Sequence, residues 1–209
     1  MKLIWVIREI CSVEGGFKAL FDKSKAHRVL TELSDDKQEV ERFSALLYGS
    51  ARTSLIELVH DAYNYKDYVS KICGDLRNGG MSEEDARRTL EIFFKAFGFP
   101  GYRDVDSKRV GAVINDKGDF KIEYQGEIRN GKEHGIGIRT CYFEGNWCNY
   151  DESVWVDGVM CGYDDSKEVE FGMFENRTVG FVVEDHFIGK SRVFTGDEEY
   201  TDVGERLDI

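Results

Sequence analysis

Tyr124-Gln125-Gly126-Glu127-Ile128-Arg129-Asn130-Gly131-Lys132-Glu133-His134-Gly135-Ile136-Gly137 is the stretch that decides the fold. Just upstream, Phe120-Lys121-Ile122-Glu123-Tyr124 alternates apolar and polar residues, the period of a half-buried strand. Asn130-Gly131 then supplies two positions that tolerate positive φ, the strongest short hairpin signal. The segment predicts a β-hairpin, and its landmarks return every 27 residues. Gly118-Asp119-Phe120 is followed by Gly145-Asn146-Trp147 and Gly172-Met173-Phe174. Asn130-Gly131 is followed by Asp157-Gly158 and Glu184-Asp185. Gly135, Gly162 and Gly189 keep the same step, as do Ile128, Trp155 and Val182. A period of this length indicates stacked supersecondary units, none able to bury its apolar face alone. Three units are expected, at 118–144, 145–171 and 172–198, with the residues after about 199 forming an acidic cap or a loose tail.

Residues 124–137 resemble a MORN repeat, whose pattern is Tyr-x-Gly-x-aromatic-x-x-Gly-x-x-x-Gly-x-Gly. The second unit keeps Trp155, Asp157, Gly158 and Gly162 but carries Asp151 and Ser153 in place of the tyrosine and first glycine. The third keeps Gly180 and Gly189. The 27-residue step is also a few residues longer than the usual MORN unit. The resemblance implies a short, divergent array of hairpins with one exposed face, serving as a protein scaffold or a lipid binder. Tyr124, Trp147 and Trp155 are then candidates either for a partner-contact face or for packing between hairpins, where aromatics of repeats usually stack.

The first hundred residues read differently. Apolar residues recur at helical spacing at Leu3, Val6, Ile7 and Ile10, then at Ala26, Val29, Leu30 and Leu33 after Ser24. Val40, Phe43 and Leu47 mark another helix between Asp35 or Asp36 and Gly49, and Leu55, Val59 and Ala62 the next. Tyr65, Ile72 and Leu76 precede a stop at Asn78-Gly79-Gly80. In the last helix Ser82 is a cap, Glu83, Glu84 and Asp85 suit the positive end of the dipole, and Ala86, Leu90, Phe93 and Phe97 form the apolar stripe. Glu84 with Arg88 and Glu91 with Lys95 are spaced for ion pairs. About six such helices can close a bundle. Residues 17–98, through Gly80-Met81-Ser82-Glu83-Glu84-Asp85-Ala86 and Phe94-Lys95-Ala96-Phe97-Gly98, resemble a small helical domain of bacterial multidomain proteins. Ile92-Phe93-Phe94 stands where that domain usually has a tryptophan-rich stretch. The resemblance implies a bacterial or phage origin and an accessory role. The fold class expected is α+β: an all-α bundle over 1–100, then an antiparallel hairpin array over 101–209.

Charge follows the same division. The chain carries 28 basic and 40 acidic residues, net -12, and residues 101–209 hold 13 and 24 of them. An acidic array repels phosphate backbones and anionic head groups, which argues against direct nucleic-acid or membrane binding and suits a basic protein partner. No apolar run approaches the ~20 residues of a membrane span, and the short run Leu3–Ile7 is followed at once by Arg8 and Glu9. Five scattered cysteines read as reduced thiols and a cytoplasmic setting.

Chemistry is sparse. Cys141, Cys148 and Cys161 with His134 and His186 lack the Cys-x-x-Cys spacing of a zinc site. A Cys141–His134 dyad has no third member. Asp116, Asp119, Asp164 and Asp165 read as turn residues, with no EF-hand loop around them. No catalytic, metal or cofactor residues are expected. The expectation is a non-catalytic adaptor with an acidic binding face. The alternative is an inhibitor or immunity-type protein whose acidic half blocks a basic, nucleic-acid-binding surface.

Overall fold

The computed structural model describes residues 1–13, 16–102, 110–170, 174–196 and 198–206. Six α-helices come first: α1 (Leu3–Cys11), α2 (Lys23–Leu33), α3 (Lys37–Tyr48), α4 (Arg52–His60), α5 (Tyr65–Asn78) and α6 (Glu83–Ala96). Side-chain caps start three of them. Asp22 accepts from the Ser24 and Lys25 amides, Asp36 from Glu39, and Ser82 from Asp85. The α2 cap is therefore Asp22, with Ser24 already inside the first turn. Lys95 pairs with Glu91 as the spacing indicates, whereas Arg88 reaches across to Glu39 of α3. No helix among the described residues is long and apolar enough to cross a membrane.

Eight antiparallel strands follow in one sheet, ordered as in the sequence: β1 (Val110–Lys117), β2 (Phe120–Arg129), β3 (Lys132–Phe143), β4 (Asn146–Val156), β5 (Val159–Glu170), β6 (Phe174–Val183), β7 (His186–Thr195) and β8 (Glu198–Val203). The 27-residue step is one strand out and the next strand back. Asn130-Gly131, Asp157-Gly158 and Glu184-Asp185 turn at one end of the sheet, each with both residues at positive φ. That is the turn type whose twist matches a hairpin. Gly118 and Gly145 turn at the other end, also at positive φ; Gly172-Met173 lie outside the described residues. The three units are hairpins β2–β3, β4–β5 and β6–β7, with one further strand on each edge. The acidic stretch beyond 199 is β8, paired with β7 from Thr195↔Glu198 to Lys190↔Val203. Asp164 and Asp165, read as turn residues, lie within β5, and Asp116 lies within β1.

The third glycine column explains how the helices meet the sheet. A Cβ on Gly162, at φ +149, would lie 2.7 Å from the carbonyl oxygen of Phe97. One on Gly189 would collide with the backbone of His60, whereas one on Gly135 would meet Glu127 of β2 first, at 3.2 Å, with Arg8 no nearer than 3.9 Å. The missing side chains let helix ends sit directly on strand backbone, and the Tyr163 amide donates to the Phe97 carbonyl at 2.8 Å. Around this seam the helical and sheet regions share one apolar core. Phe17 packs on Phe97 and Phe181 at 5.1 and 5.2 Å between ring centroids, and Phe99 on Tyr163 at 5.2 Å. Arg8 crowns the end of α6, donating to the Ala96 and Lys95 carbonyls at 2.9 and 3.0 Å.

Candidate interaction surface

Strand register separates the three aromatic candidates. Tyr124 and Trp155 are buried and stand outside the core shared with the helices. Their rings meet edge to face at 6.0 Å, and the Tyr124 hydroxyl donates to the His134 carbonyl at 2.8 Å. The Tyr124 ring lies across Gly126 and Gly137, where any Cβ would strike it. Arg139 stacks 3.9 Å above Trp155 and pairs with Glu133 at 2.7 Å. These two aromatics thus fill the space between hairpins, and no partner can touch them while the sheet is intact. Burial, chiefly, lifts the Tyr124 phenol well above its usual range.

Trp147 lies elsewhere. It sits just past the Glu144-Gly145 turn, 40% exposed, opposite Tyr142 on β3. Tyr150 follows on β4, opposite Thr140 on one side and Lys167 on the other. Alternation puts these side chains on the helix-bearing face, but at the strand ends remote from the helices. They line a groove of about 310 Å³ whose floor is Thr140, Tyr142, Trp147 and Tyr150, with Lys167 and Glu175 at one wall, 3.9 Å apart. Lys121 lies 5.8 Å above the Tyr142 ring, and the Tyr150 hydroxyl donates to Glu152 at 3.4 Å. Burial first, and Glu123 second, raise the Tyr142 phenol. On the opposite face of the same end, Phe120 and Phe143 pair across β2 and β3 and are 37% and 53% exposed. An aromatic rim of this kind, left unburied on an otherwise charged sheet, is the composition of an interface centre.

The sequence singled out Trp147 but missed Tyr142, Tyr150, Phe120 and Phe143. The signal was the register: a turn at Glu144-Gly145 brings Tyr142 against Trp147 and Thr140 against Tyr150. The zinc and dyad combinations do not assemble. Among the described residues no three His, Cys, Asp or Glu side chains converge on one point, and all five cysteines are unpaired. His134 is buried, its pKa lowered by burial first and by Arg129 second, and it stands 3.6 Å from Asp157. Arg129 ties the sheet to α1, bonding Asp157 at 2.7 Å and also Glu9. No family model, no curated protein and no solved structure matches the chain.

Proposed function

We propose that this chain is a non-catalytic, cytoplasmic interaction protein, an adaptor whose sheet is a MORN-like hairpin array and whose aromatic groove receives a protein partner. The observation that carries the reading is Trp147, an exposed indole set in a groove with Tyr142 and Tyr150. Support for the MORN-like reading comes from Tyr124 lying over Gly126 and Gly137, which gives those pattern positions a packing role. The acid excess of residues 101–209 favours a basic partner, with the aromatics supplying short-range affinity and the charge supplying approach rate. The test is capture by the full chain and by Trp147→Ala, at low and high salt. A basic partner held at both salts by the parent, and lost by roughly tenfold or more with Trp147→Ala, fits a central aromatic contact. Equal capture by the two proteins would remove the groove from the proposal. Binding that collapses with salt and ignores Trp147→Ala would favour the inhibitor reading, in which charge alone covers a basic surface.

A further inference from the structure

One 27-residue step from Tyr124, Gly126 and Gly137 gives Asp151, Ser153 and Asp164; a second gives Thr178, Gly180 and Ser191. In the first unit the Tyr124 ring fills the space over its two glycines. In the third, Phe187 lies against Gly180, where a Cβ would sit 2.8 Å from the ring. The middle unit has no ring at this place. It presents two carboxyls and a hydroxyl instead, and they are enclosed: Asp151, Ser153 and Asp164 are 7%, 2% and 1% exposed. Ser166 stands opposite Asp151 in the ladder. Four short oxygen-bearing side chains therefore share one face of the neighbouring strands β4 and β5.

This cluster is unbalanced in charge and in hydrogen bonds. Ser153 and Ser166 approach the Asp164 carboxyl, and Ser166 also donates to the Thr178 carbonyl at 3.3 Å, yet Asp164 Oδ1 and Ser153 Oγ make no hydrogen bond of good geometry, nor does Trp155 Nε1. Burial first, and the Asp151 carboxylate second, hold the Asp164 carboxyl well above its ordinary range. Burial raises Asp151 to about 6, against the pull of Arg139 and Asn149. The other charges that bear on the pair are acidic: Asp165 and Glu168 on β5, and Asp185 from the turn before β7. Arg139, which pulls Asp151 down, is already paired with Glu133. Two buried carboxyls this close together stay neutral by keeping protons, or are ionised when a cation takes the protons' place.

We propose that Asp151, Ser153, Asp164 and Ser166 form a binding site for one hard cation of the calcium class. The donors are all oxygens, the set such an ion takes. Binding the ion releases the protons that the pair otherwise keeps. With two carboxylates, affinity falls in the weak range, roughly 10⁻⁴ to 10⁻³ M.

Terbium, a luminescent stand-in for calcium, tests this on the full chain, since Trp155 is placed to sensitise it. Tryptophan excitation should give terbium emission that calcium displaces, that Trp147→Phe leaves intact and that Trp155→Phe greatly reduces. Asp164→Asn, of the same shape and without the buried charge, should fold by circular dichroism yet lose the emission. Calcium should raise the melting temperature of the parent and not that of Asp164→Asn. Ser153→Ala, which keeps both acids, should weaken calcium several-fold. Absence of sensitised emission in the parent, emission that survives Asp164→Asn, or a parent melting temperature indifferent to calcium would each overturn the proposal.

Discussion

At Gly162 the reason for a glycine is a carbonyl oxygen 2.7 Å from where its Cβ would be, on the end of the helical region. Gly162→Val combines that overlap with a φ of +149 and should cost about 2–3 kcal/mol, read as a lower urea midpoint at unchanged slope. A variant that melts like the parent would mean that the helix end does not rest on this strand. The acid pair belongs to the same scale. Asp151 and Asp164 bind protons more tightly folded than unfolded, so folding takes up protons above the ordinary 3.8, up to about 6 for Asp151. Stability is then greatest at the acid end of that window and falls as pH rises through it. The Asp151 shift alone corresponds to a loss on the order of 3 kcal/mol. In chelator, the urea midpoint should drop as pH rises from about 4 to about 6, and Asp164→Asn should change the profile. A parent profile already flat over that range would contradict the burial of the pair. The replacement of tyrosine and glycine by Asp151 and Ser153 was legible in the sequence, but it reads there as decay of the repeat. Polar residues alternating along a strand look solvent-facing, and nothing local reveals that this face is closed.

Elements were the most legible scale, because caps and turns are local chemistry. Ser82 before Glu83-Glu84-Asp85 and Asn130-Gly131 between β2 and β3 stand where the sequence placed them, and of Asp35 and Asp36 it is Asp36 that caps α3. The α2 start was misplaced by two residues because Asp22 and Ser24 are both good caps, and only geometry shows that Asp22 accepts two amides. Asp22→Ala should therefore lower stability by about 1 kcal/mol and Ser24→Ala by clearly less, compared by chemical denaturation. If Ser24→Ala is the costlier change, the cap is wrongly assigned. β8 was missed for a different reason. Glu198-Glu199-Tyr200-Thr201-Asp202-Val203 is acidic and wholly exposed, so it has no apolar pattern of its own. It is a strand because β7 offers it a ladder, and a neighbour's hydrogen bonds are invisible to periodicity.

The whole molecule joins what composition separates. The acid excess marks off residues 101–209, yet Phe17, Phe97 and Phe99 of the first half pack on Phe181 and Tyr163 of the second. A shared core makes the halves dependent. Calorimetry should show one transition whose van't Hoff and calorimetric enthalpies agree, and truncation after residue 100 should give a fragment that binds hydrophobic dye. Two resolved transitions would show that the seam contributes little. The aromatic groove stands outside this dependence, at the strand ends remote from the helices. Its composition was half legible: Trp147 stood out, and its neighbours emerged only with the register.

The seats of the helices on the sheet also do something a bare sheet cannot. A hairpin meander has no natural end, since each new pair of strands offers the same edge to the next. Here the count is kept from outside. Phe97 and His60, on two different parts of the helical region, each press on the glycine of one unit. The helices work as a ruler with two marks, set at the second and third units of the array.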